Sequence, residues 1–135
     1  MDVCLCKLVQ IAEGTVQVTF TGSKIPLYYT WQNTLHRLKG DRVTIGDKQQ
    51  SDERGFTTQE IILNEGNMLY LSTDGFIDTP NSKRKSFGSQ RFKTLLESIC
   101  HLPLEEQKQA MLDTLAQYQK GADQRDDITV LGIRL

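Results

Sequence analysis

The sequence is short of almost everything that marks secreted, membrane-spanning and nucleic-acid-binding chains. Its 135 residues include three cysteines, three prolines and one tryptophan. Three is an odd number of thiols, and Cys4 and Cys6 fall on the same face of any strand that holds them. A disulfide framework therefore gives way to a reduced thiol set, as in a cytoplasmic protein, with both side chains expected to serve core packing. No apolar run approaches the roughly 20 residues a membrane span requires. Met1-Asp2-Val3-Cys4 lacks the basic-then-apolar layout of a signal peptide. An excess of either charge is missing as well: 16 Lys and Arg stand against 17 Asp and Glu. A nucleic-acid partner calls for a basic excess against the phosphates, so none is expected. His36 and His101 have no Cys or His at ligand spacing, which removes a zinc site. There is no glycine-rich phosphate loop, no G-x-S-x-G elbow and no set resembling a Ser-His-Asp triad.

What remains is a composition of 38% hydrophobic and 24% charged residues, that of one globular domain over residues 1–135 that needs neither disulfide nor structural metal to fold. The first 75 residues read as strands. Val3 to Ile11 is apolar on nearly every residue, which predicts a strand covered on both faces. After Glu13-Gly14, the run Thr15 to Thr21 alternates, with Val16, Val18 and Phe20 inward. Leu27 to Trp31 is a further strand, turned back at Gln32-Asn33 in an antiparallel meander. The stretch Lys39 to Phe56 reads as a long, polar, mobile loop. Strands resume at Thr57 to Leu63 and at Met68 to Thr73, the latter apolar enough to be central.

From there the period turns helical. Phe92, Leu95, Leu96 and Ile99 share one face, with Ser89 as the expected N-cap. Pro103 opens a second helix in its first turn, Glu105 and Glu106 suit the positive end of its dipole, and Leu104, Met111, Leu115 and Tyr118 form its expected buried stripe. A strand from Ile128 to Leu135 ends the chain. Strands, then two helices, then one strand is an α+β order.

Two acidic motifs stand at strand ends. Ser72-Thr73-Asp74-Gly75-Phe76-Ile77-Asp78 follows one apolar strand, and Arg125-Asp126-Asp127-Ile128-Thr129 precedes another. If the strands are antiparallel neighbours, Asp74 and Asp126 leave the sheet at one edge. Paired carboxylates repel unless a proton or cation intervenes, and hard divalent ions such as Mg²⁺ or Mn²⁺ take oxygen ligands of this kind. The plainer alternative stays open, since Asp-Gly is a common turn and Asp-Asp a common solvated edge. Lys83-Arg84-Lys85 reads as a solvated loop or, if it borders the site, as an attractor for a phosphorylated partner.

Met68 to Asp78, with Phe87-Gly88 and Arg91-Phe92, resembles the bacterial SpoIIE-like branch of the PPM superfamily of metal-dependent protein serine/threonine phosphatases. Arg125 to Arg134 is similar to that family's closing motif, and Met1 to Cys6 and Phe20 to Leu27 to its earlier strand and turn. The resemblance implies an antiparallel β-sandwich flanked by helices with a two-metal Mn²⁺ or Mg²⁺ centre. It implies that Asp74 and Asp126 are metal ligands, with Gly75 and Asp127 as their orienting neighbours, and no catalytic group beyond the ligands. Asp78 aligns with a less constant acidic position and has no assigned role. A metal-activated water would attack phosphoserine or phosphothreonine on a bacterial regulatory protein, such as an anti-sigma-factor antagonist.

The family's Gly-Asp motif, followed by Gly-His-Gly, supplies a bridging ligand, and neither Gly40-Asp41 nor Gly46-Asp47 fits it. The expectation is therefore a C-terminal portion of the domain, incomplete at the N-terminus and weak in Mn²⁺ binding. An apolar face or edge would be exposed, favouring a homo-oligomer. The competing reading is a non-catalytic interaction module, a pseudophosphatase. A haloacid-dehalogenase-type phosphatase is excluded, because position 76, where its acid belongs, is Phe.

Overall fold

A computed structural model of the chain describes residues 2–46 and 55–135. The elements run β1 (Cys4–Ala12), β2 (Thr15–Gly22), β3 (Leu27–Trp31), β4 (Thr34–Leu38), β5 (Gln59–Asn64), β6 (Met68–Ser72), α1 (Gly75–Asp78), α2 (Ser89–Ile99), α3 (Leu104–Gln119) and β7 (Val130–Arg134). They divide into two units, Met1–Leu71 with Leu131–Leu135, and Ser72–Val130.

The first unit carries two antiparallel arrangements, a sheet of order β1-β2-β5 and a sheet of order β4-β3-β6-β7. Val18 and Phe20 of β2, Leu63 of β5, Leu27 of β3 and Leu69 of β6 form one buried cluster, so side chains of both sheets share a core. That is a sandwich, built from the alternation read in β2. Gln32 and Asn33 both adopt positive φ, 50° and 59°, and join β3 to β4 as the two central residues of a tight hairpin turn. Residues 67 and 73 bond to residues 135 and 129, so β6 and β7 run in opposite directions, as the placement of the acidic motifs requires. Met68, Leu69 and Tyr70 are at most 1% exposed, as befits a strand flanked on both sides by others.

β1 departs from the reading of a strand covered on both faces and bears out the expected exposed apolar edge. It is the edge strand of its sheet, and Leu5, Leu8, Val9 and Ile11 are exposed. Only Cys4 and Cys6 pack toward the buried cluster, which is the core role expected of them. The continuous apolar character of the segment therefore marks an uncovered strand, while Ile62 of β5, 60% exposed, is separated from Val9 by Gln17 of the intervening β2. Asp41 is also structural: its carboxylate accepts bonds from the Thr57 N–H at 2.7 Å and the Thr57 hydroxyl at 3.0 Å. Of the expected Lys39–Phe56 loop, residues 47–54, including Asp47, lie outside the described residues.

The second unit is organised by aromatic contacts. Phe76 of α1 meets Phe87 and Phe92 at centroid distances of 5.3 and 4.9 Å, and Phe87 meets Tyr118 of α3 edge-on at 5.0 Å. The buried face of α2 is Phe92, Leu96 and Ile99, as its period predicts. Its cap is Gly88 at φ 86° rather than Ser89, because the chain enters the helix through a left-handed residue. Pro103 likewise occupies the cap of α3, and the helix begins at Leu104. The predicted stripe of α3 is only half-buried, and Leu104 is 47% exposed. Its buried residue is Gln107, whose amide donates to the carbonyls of Leu102 at 2.8 Å and Cys100 at 3.3 Å. A polar side chain is buried there because the turn between two helices leaves carbonyls that need donors.

Candidate functional site

Both acidic motifs lie in the second unit, and backbone contacts lock them together. At the end of β6 the Thr73 N–H donates to the Thr129 carbonyl at 3.0 Å, and the Thr129 N–H donates to the Thr73 hydroxyl at 3.0 Å. That hydroxyl in turn donates to the Asp127 carbonyl at 3.2 Å. Gly75 completes the contact: a Cβ built on it would collide with the Asp127 carbonyl oxygen and approach Ile128 Cγ1 to 3.2 Å. The role of this glycine is therefore steric clearance, since its φ lies outside the left-handed region.

Phe76, 1% exposed, fixes the short helix that follows. The Thr79 hydroxyl donates to the Gly75 carbonyl at 2.8 Å and the Asp78 N–H to the Asp74 carbonyl at 2.9 Å. Asp74 is thus held at the mouth of α1 by buried neighbours while its own side chain is exposed. Its carboxylate has no hydrogen-bond or ion-pair partner among the described residues. Asp126 and Asp127 are exposed too, and Asp126 accepts the Asp127 N–H on Oδ1 at 2.8 Å, which leaves its Oδ2 out of that bond. Asp78 stands exposed at the far end of α1. The burial of Phe76 also explains why no acid stands two residues after Asp74: that position faces the aromatic core.

The structure therefore brings Asp74, Gly75, Asp126 and Asp127 onto adjoining turns. Thr73 and Thr129 were missed by sequence reasoning, although a threonine in each motif was the available signal. The donor set consists of hard carboxylate oxygens held by rigid backbone, which suits Mg²⁺ or Mn²⁺. Among the described residues no group of three or more His, Cys, Asp and Glu side chains is gathered for a metal ion.

The model of the Stage II sporulation protein E (SpoIIE) family matches residues 2–135. The chain belongs to the SpoIIE family. Among solved structures it is similar to the SiaA-PP2C domain of Pseudomonas aeruginosa, at 42% identity and a TM-score of 0.78, over 88% of this chain and 46% of that one. The RsbU and RsbW domains of a Mycobacterium tuberculosis protein match at 24% identity and a TM-score of 0.69, covering 98% of this chain and 35% of that one. The phosphatase domain of SpoIIE from Bacillus subtilis matches at 13% identity and a TM-score of 0.65, covering 99% of this chain and 56% of that one. No curated protein matches the sequence. The SpoIIE-family chain thus has the α+β fold of PP2C-type serine/threonine phosphatases, and spans about half the length, or less, of these structures. No helix among its described residues is long and apolar enough to cross a membrane.

Proposed function

We propose that this chain carries Asp74 and Asp126 as metal ligands of a protein serine/threonine phosphatase that acts on a phosphorylated bacterial regulatory protein. The observation behind this reading is the interlock of the two acidic motifs through Gly75, Thr73 and Thr129, which presents two carboxylates on adjoining turns. A turn or solvated edge needs no such clearance between its backbone and another acidic segment. A bound Mn²⁺ or Mg²⁺ would supply an activated water and offset charge on the phosphoryl oxygens. The chain's own part is positional. Phe76 anchors the turn that carries Asp74, the Asp127 carbonyl seats Gly75, and the Asp127 N–H orients the Asp126 carboxylate. An anti-sigma-factor antagonist as substrate, a cytoplasmic setting and self-association through the apolar residues of β1 and β5 belong to the same reading.

The second reading, a pseudophosphatase module, draws on the absence of a third acidic or imidazole ligand beside the pair among the described residues. The two are separated by Mn²⁺ uptake, followed by electron paramagnetic resonance, and by hydrolysis of a phosphoserine peptide with a chelator control. The phosphatase reading expects uptake weakened at least tenfold by Asp74→Asn and by Asp126→Asn, and any turnover abolished by chelator and by either substitution. Unchanged uptake in both variants, with no turnover, would replace it with the module.

A further inference from the structure

The second unit holds a cleft of about 350 Å³, lined by Asn81, Ser82, Arg84, Gly121, Asp123 and Arg125 among others. One wall is the loop after α1, the other the segment between α3 and β7. The first wall is built rather than slack. Asn81 Oδ1 accepts the N–H groups of Lys83 and Lys85 at 2.9 and 3.0 Å, and the Asn81 N–H donates to the Lys85 carbonyl at 2.9 Å. The Tyr118 hydroxyl, 3.0 and 2.9 Å from the carbonyls of Lys85 and Ser86, ties this loop to α3. Arg84 adopts φ 59° in it. Neither the Arg84 nor the Arg125 side chain makes an ion pair or hydrogen bond among the described residues, although Asp123 lines the same cleft. Arg84 and Arg125 therefore line one opening with guanidinium donors unused among the described residues, and Arg125 is the residue before Asp126. Guanidinium groups bind carboxylates through paired, charge-assisted hydrogen bonds.

We propose that Arg84 and Arg125 form a specificity subsite that holds an acidic side chain of the phosphoprotein, next to the phosphorylated residue. The proposal rests on the phosphatase reading for what occupies the neighbouring acidic turns, and it gives the Lys83-Arg84-Lys85 run a partner-facing role. Asp123 limits the subsite to a single carboxylate, since one negative group already offsets part of the two positive charges.

The test is binding without turnover: fluorescence anisotropy with the full chain in chelator, at low salt. Three synthetic probes are used, a phosphoserine peptide flanked by glutamates, the same peptide flanked by glutamines, and the unphosphorylated glutamate peptide. Both glutamate peptides should bind about tenfold more tightly than the glutamine peptide. The preference should fall in Arg84→Gln and in Arg125→Gln, weaken as salt is raised, and persist in Asp74→Asn. Equal binding of glutamate and glutamine probes, no measurable binding, or a preference unchanged by both arginine substitutions would overturn the proposal. Displacement of the unphosphorylated glutamate peptide by millimolar inorganic phosphate would overturn it too, marking a phosphate site instead. Because no arm depends on metal or catalysis, the subsite and the phosphatase reading fail separately.

Discussion

Replacing Gly75 with alanine adds one methyl group at the point where the two acidic motifs meet. The new Cβ would collide with the Asp127 carbonyl oxygen, lie 2.9 Å from the Asp127 carbonyl carbon and 3.2 Å from Ile128 Cγ1. Backbone atoms are the obstacle, so no side chain can rotate away. Restoring ordinary van der Waals separation requires one segment to retreat by about 1 Å. That retreat stretches the bond from the Thr73 hydroxyl to the Asp127 carbonyl, now 3.2 Å. Overpacking of this kind costs about 1–3 kcal/mol, and a weakened hydrogen bond adds about 1 kcal/mol. Against these, alanine gains at most about 1 kcal/mol over glycine in a helix. The net is a destabilisation of about 2 kcal/mol, read as a fall of about 1 M in the urea midpoint with an unchanged slope. Gly132→Ala is the control, because its Cβ would meet the Tyr70 ring at an ordinary 3.5 Å. A Gly75→Ala chain as stable as the parent, or more stable, would refute the close seating of the two motifs.

Further outcomes follow from the buried Gln107 and from the thiol pair of β1. Gln107→Ala removes donors from the Cys100 and Leu102 carbonyls at a 2% exposed site, and should cost about 2–3 kcal/mol in urea denaturation. Gln107→Glu sets a carboxylate against those carbonyls, so this variant should be weakest at neutral pH and recover stability as acid protonates it. In the thiol pair of β1, a hydrogen bond with Cys6, then burial, pushes Cys4 up from the ordinary thiol range, while the bond from Cys4 lowers Cys6. Alkylation followed by mass spectrometry should therefore find one thiol of the pair reacting below the pH of an ordinary cysteine and the second resisting well above it. Cys4→Ala should raise the pH at which Cys6 reacts, and identical profiles in parent and variant would exclude the coupling.

The sequence alone determined the elements whose period is local. Alternation in Thr15 to Thr21 marked an inward Val18 and Phe20, the spacing of Phe92, Leu96 and Ile99 marked the buried face of α2, and Asp74 and Asp126 stood out because carboxylates flanked apolar strands. Periodicity alone read β1 as covered on both faces, because continuous apolarity is shared by a strand buried on both faces and one left uncovered at an edge, and only the family resemblance pointed to the exposed edge that the structure has. The tertiary structure decided what depends on partners distant in the chain. Gly75 needs no side chain because Asp127, 52 residues on, sets its carbonyl there. Gln107 is buried because a helix turn presents carbonyls to it, and Arg84 shares a cleft with Arg125 because the ties of Asn81 and Tyr118 place its loop beside the segment that leads to Asp126. Periodicity reports which face of an element is apolar. Steric clearance, donor satisfaction and the convergence of like charges are properties of pairs, and only the folded chain brings those pairs together.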